Sequence, residues 1–65
     1  MKCILKRDHS RYWVAHFKKG DAVTQRVVGT PTDDLDHCIA HVSRHWGLES
    51  LRVYKDDGSV VYVVL

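Results

Sequence analysis

The chain is 65 residues long and carries ten Lys and Arg against eight Asp and Glu, a formal net charge of +2. A domain this short buries only about 60% of the surface its unfolded chain exposes, so its core is small and it cannot enclose a large substrate. No apolar run is long enough to cross a membrane, and charge interrupts Met1-Lys2-Cys3-Ile4-Leu5-Lys6-Arg7 where a signal peptide would be apolar, so a cytoplasmic location is expected.

In chain order, a short strand is expected over residues 2–7, reversed by the polar turn Asp8-His9-Ser10. Residues 12–17 form the best strand pattern, with Trp13, Ala15 and Phe17 on one side and Tyr12, Val14 and His16 on the other. Lys18-Lys19-Gly20-Asp21 then supplies a hairpin turn into a third strand over residues 22–28. Hydrophobicity assigns Val23 and Val27 to the inner face with Trp13 and Phe17, leaving Thr24, Arg26 and Val28 outside.

The stretch from Thr30 to Gly47 alone repeats at helical spacing. Leu35, Cys38, Ile39, Val42 and Trp46 make one apolar stripe. Thr30 with Pro31, or Thr32 with Asp33 and Asp34, can begin the helix, and Gly47 can end it in a left-handed conformation. The expected helix spans about fourteen residues, roughly 32–46, near 21 Å long. Residues 51–55 and 60–65 then flank Asp56-Asp57-Gly58-Ser59, a strong turn signal. The fold expected is one α+β domain over residues 1–65, an antiparallel sheet in the order βββαββ with the helix packed on one face.

The last strand departs from the alternating pattern. Val60-Val61-Tyr62-Val63-Val64-Leu65 has neither alternation nor charge, so both faces want cover. Two arrangements satisfy it: an interior place in the sheet, or pairing with a second copy through Val60, Val61, Tyr62 and Val63.

Chemistry-bearing residues are few. His37, His41 and His45 lie four apart on one flank of the helix, and an i, i+4 pair such as His37 and His41 can ligate a metal ion. Three histidines eight residues apart span too far for one ion, and no glutamate sits inside the pair, so a polar flank without metal is expected. Cys3 and Cys38 sit in apolar surroundings and read as small reduced core residues, with a strand-to-helix disulfide as the alternative. Cys38 beside His37 is no dyad, because neighbouring helical side chains point about 100° apart. The expectation is a non-enzymatic module without a cofactor.

Charge distribution points to a binding role. Asp33, Asp34, Asp36, Glu49, Asp56 and Asp57 gather late, whereas most basic residues precede the helix. Lys6, Arg7, Arg11, Tyr12, His16, Lys18, Lys19, Thr24 and Arg26 combine phosphate donors with side chains that can reach or stack on bases, and they are the expected nucleic-acid contacts on the outer sheet face.

Arg11-Tyr12-Trp13-Val14-Ala15 on the second strand, a Gly20 turn and Val28-Gly29-Thr30 leading into the helix resemble the arm-type DNA-binding domain of tyrosine integrases. That resemblance implies a three-stranded sheet that reads the major groove through Arg11, Tyr12, His16, Thr24 and Arg26. The stretch from Met1-Lys2 through Tyr12-Trp13-Val14 to the helix also resembles HicB-type antitoxin domains, which place a strand after the helix and whose role implies a protein partner. The chain lacks the Pro-Gly-Cys loop common in HicB domains and adds a closing hairpin that the integrase arm lacks. DNA binding is the leading expectation; the alternative is a protein-interaction module of antitoxin or phage-inhibitor type, with a homodimer through the last strand.

Overall fold

Turn chemistry sets the register of the sheet. In the computed structural model, which describes residues 1–64, the strands are β1 (Lys2–Arg7), β2 (Trp13–Lys19), β3 (Ala22–Gly29), β4 (Ser50–Tyr54) and β5 (Val60–Val64), with helix α1 (Leu35–His45) between β3 and β4. The βββαββ order matches the expectation; Leu65, expected to end the last strand, lies outside the described residues.

The loop between β2 and β3 has only two residues, Gly20 and Asp21, and Gly20 takes φ +61°. This tight turn pairs Lys19 with Ala22, and the ladder then sets Phe17 opposite Thr24 and Ala15 opposite Arg26. Opposed residues in an antiparallel pair share a face. Since Trp13, Ala15 and Phe17 are buried beneath the helix, Thr24 and Arg26 lie on the helix side, while Val23 and Val27 lie on the open side and are 64% exposed. The expected phase of β2 is therefore observed and that of β3 is reversed. A bulge at Trp13/Val14 makes Val28 the extra residue of β3, and Val28 packs against the core.

The other two hairpin loops share one construction. Asp8 N–H donates to Tyr12 O and Lys55 N–H to Ser59 O, each across three residues whose third has positive φ, Arg11 at +69° and Gly58 at +86°. Glycine is the natural occupant of that position, and Arg11 holds it under mild strain. Asp8 compensates by accepting from the N–H groups of both Ser10 and Tyr12.

The helix starts later than expected and ends differently. Thr30-Pro31-Thr32-Asp33 closes a turn, with Asp33 N–H donating to Thr30 O and the Asp33 carboxylate accepting from Thr30 N–H at 2.6 Å. Asp34 becomes the N-cap and accepts from Asp36 N–H. At the other end Trp46, not a left-handed Gly47, closes the helix in an extended conformation, because its ring docks on Phe17 with centroids 4.7 Å apart.

Spatial order in the sheet is β3-β2-β1-β4-β5. The crossover through α1 lays β4 parallel to β1, the one parallel pair in an otherwise antiparallel sheet, and pushes β5 to an edge instead of the interior. Cys3, Leu5, Trp13, Ala15, Phe17, Leu51 and Val53 meet Cys38 and Val42 of the helix in the core, with Leu35, Ile39 and Trp46 around them. Cys3 and Cys38 are free thiols, and burial pushes the Cys3 thiol up to about 11 and the Cys38 thiol upward. Both stay protonated and unreactive at neutral pH.

Helix and sheet approach most closely at Gly29. A β-carbon there would overlap Cys38 Sγ, which is fully buried, and press on Trp13 Cβ at 3.4 Å. Gly29→Ala is expected to destabilise the fold by about 1–3 kcal/mol through overpacking. Gly47→Ala meets nothing within 4 Å and should cost nothing measurable. Paired thermal melts followed by circular dichroism check the contrast; equal melting points would show that the helix can move away from β3.

Candidate nucleic-acid interface

With α1 covering one face of the sheet, the other face is open, and the register gives its composition. One row across the strands reads Gln25, His16, Ile4, Arg52 and Tyr62; a second reads Val23, Lys18, Lys2, Ser50 and Val64. Val27, Val14 and Lys6 begin a third, which Tyr54 and Val60 continue on the far side. Val14 is 7% exposed although it lies outside the helix-side core, shielded by its neighbours in that row.

All eight carboxylate residues lie outside the strands. The open face thus brings Lys2, Lys6, Lys18 and Arg52 together without an acid between them. Asp8 sits at the rim, where it is engaged by two backbone N–H groups. His16 is central: it borders a groove of about 600 Å³ with Lys6, Val14 and Gln25, and another of about 400 Å³ with Lys18, Arg52 and Tyr62. Its pKa is lowered, first by burial and then by the Lys6 charge, so the imidazole is neutral at pH 7. Arg52 stacks on the Tyr62 ring at 4.7 Å and donates to its hydroxyl.

Three of the expected contacts, Lys6, His16 and Lys18, share this face. The others do not. Lys19, Thr24 and Arg26 stand on the helix side, where they line a cleft with Met1, Phe17 and Trp46; Arg26, on the edge strand, also reaches the rim beside Val27. Tyr12 closes the turn before β2.

Arg7 and Arg11 are engaged within the fold. Arg7 lies opposite Trp13, with its guanidinium 4.3 Å over the indole ring, and donates to Asp56 Oδ1 at 2.7 Å and to the carbonyls of Arg11 and Pro31. Arg11 adds a second contact to Asp56 at 3.3 Å. Together they tie the β1–β2 turn to the β4–β5 turn at one end of the core.

That knot carries a pH dependence. The hydrogen bond from Arg7, supported by the charges of Arg7 and Arg11, holds the Asp56 carboxyl below its ordinary value. The folded protein therefore binds this proton less readily than the unfolded chain. The contribution of Asp56 to stability is complete above the ordinary carboxylate range and is lost as pH falls through the depressed native value. Urea unfolding of Asp56→Asn should show a lowered midpoint at about pH 7 and convergence with the wild-type midpoint near pH 2. A constant offset across that range would show that the carboxylate charge is not what matters.

Lys2, Arg52, Tyr54 and Tyr62 were missing from the expected surface. Alternation with Leu51 and Val53 places Arg52 on the open side, but nothing in the sequence alone sets β4 beside β1. On the helix, His41 and His45 stack with centroids 4.4 Å apart, beside the Trp46 ring. His37 is exposed on the same flank, and no group of three or more metal-binding side chains occurs among the described residues. No protein-family model, curated relative or solved structure matches the chain.

Proposed function

We propose that the domain binds single-stranded nucleic acid, DNA or RNA, across the open face of its sheet in the cytoplasm. The carrying observation is the segregation of charge: four cations and a histidine share a face with apolar and aromatic side chains, and the strands hold no acid. Lysines and an arginine on such a surface neutralise phosphates, while Tyr62, Tyr54 and His16 offer planes on which bases stack.

Width favours a single strand over a duplex. Five strands spaced about 4.8 Å apart make a surface about 19 Å across, whereas a major groove is about 12 Å wide. The groove-reading mode that the integrase-arm resemblance implies would need a narrower sheet and would use Arg11, which is paired with Asp56, and Arg26, which stems from the helix side of β3 and reaches only the rim of the open face.

Fluorescence anisotropy with an oligothymidylate of about ten nucleotides, against a duplex of equal length, tests the reading. Affinity for the single strand should exceed that for the duplex and fall steeply between 50 and 200 mM salt, by about 0.7 in logarithmic slope per phosphate neutralised. No binding at the lower salt, or binding indifferent to salt, would overturn it. A protein-docking module of antitoxin or inhibitor type is the second reading, favoured by the uncharged, exposed edge strand β5; apolar docking would show that indifference to salt.

A further inference from the structure

Strand β5 pairs with β4 on one side, and its other side faces outward at the end of the sheet. Edge strands are ordinarily blunted by charge, proline or a bulge. The opposite edge, β3, has Arg26, a bulge and polar Thr24 and Gln25. Val60-Val61-Tyr62-Val63-Val64 has none of these, and Val60, Val61, Tyr62 and Val64 are between 41% and 85% exposed.

The sequence of this strand is also a palindrome centred on Tyr62. Antiparallel pairing about a twofold axis at that residue sets Val60 against Val64 of a second copy, Val61 against Val63, and Tyr62 against itself. A twofold axis sets each residue opposite its mirror position in the second copy, so in this strand every cross-seam pair is Val with Val or Tyr with Tyr, and none brings like charges together.

We infer that β5 pairs with β5 of a second copy about a twofold axis at Tyr62, joining two five-stranded sheets into one of ten strands. On the helix side the seam covers Val61 and Val63 of both copies. On the open side it sets two Tyr62 rings side by side, each flanked by its own Arg52.

Charge permits this arrangement and opposes the obvious alternative. Across the seam the two Arg52 residues stand three strand spacings apart, about 14 Å, beyond a screening length of about 8 Å. Stacking the open faces would instead press two cationic surfaces together at about 10 Å. Only the use of the continuous surface rests on the nucleic-acid reading; the seam itself does not.

Sedimentation equilibrium of the full chain without nucleic acid tests the seam. The wild type should shift from its 7.5 kDa chain mass to twice that value with rising concentration. Val60→Lys with Val64→Lys sets like charges opposite each other twice and should weaken the dimer about tenfold or more. Val60→Glu with Val64→Lys sets opposite charges there and should restore association to within about threefold of wild type. Circular dichroism melts confirm that both variants fold, as expected for exposed positions. A wild type that stays at chain mass up to about 1 mM, a dimer indifferent to the paired lysines, or a Glu/Lys variant no better than the Lys/Lys one would overturn the inference. Each of those failures leaves nucleic-acid binding by the monomer intact, and loss of oligonucleotide binding leaves the seam intact.

Discussion

Trp13→Ala is expected to remove about half or more of the domain's stability at room temperature. Trp13 is 1% exposed and the largest fully buried side chain, set between the helix and the Arg7 guanidinium. Truncating a buried aromatic to alanine costs about 3–5 kcal/mol. A chain of this length has roughly 3–10 kcal/mol of stability in all, so the loss removes much or all of it. Arg7 loses the ring beneath it at the same time, which loosens the tie to Asp56.

Trp13→Phe separates packing from hydrogen bonding. Among the described residues the buried indole N–H of Trp13 has no hydrogen-bond partner, so phenylalanine forfeits volume but no bond and removes an unsatisfied donor. A cost of about 1–2 kcal/mol is expected, which for a domain of this size lowers the melting temperature by roughly 4–16 °C. Urea titration of both variants, by circular dichroism, checks the pair. A phenylalanine variant as damaged as the alanine one would mean that the indole N–H has a partner.

The sequence made the elements and the inner phase of β2 legible because both rest on local patterns, the apolar stripe of Leu35, Cys38, Ile39, Val42 and Trp46 and the alternation of Trp13, Ala15 and Phe17. The outward phase of β3 was not read because hydrophobicity and register disagree there. Val23 and Val27 are the apolar residues, yet the two-residue turn at Gly20-Asp21 pairs Phe17 with Thr24. Hairpin geometry applies to every pair in the ladder, whereas leaving two valines outside is a modest cost that an open, partly apolar face reduces. The place of β4 beside β1 depends on a crossover whose direction no local pattern encodes. The roles of Arg7 and Arg11 depend on it too, since Asp56 reaches them only when β4 lies next to β1.

For the same reason the interface separates the register from the local charge pattern. Replacing Lys6, Lys18 and Arg52 together by alanine removes three cations that share the open face although they come from β1, β2 and β4. If each neutralises one phosphate, the logarithmic salt slope for a single-stranded oligonucleotide becomes shallower by about 2, and counterion release taken from 1 M to 0.15 M salt gives about a fifty-fold loss of affinity. Among the described residues none of the three makes a salt bridge to a carboxylate, and the contact of Arg52 with Tyr62 lies on the side away from the helix, so the melting point should fall only slightly. Lys19→Ala is the matched control: it removes one of the lysines flanking the β2–β3 turn, but from the helix side, and should leave the slope unchanged. A cationic cluster organised by nearness in sequence would give the reverse, with Lys19 and Lys18 equivalent and Arg52 silent. Equal losses from Lys18→Ala and Lys19→Ala, with none from Arg52→Ala, would therefore remove the open face as the binding surface, because only the pairing of β4 with β1 brings Arg52 into the row beside Ile4 and His16.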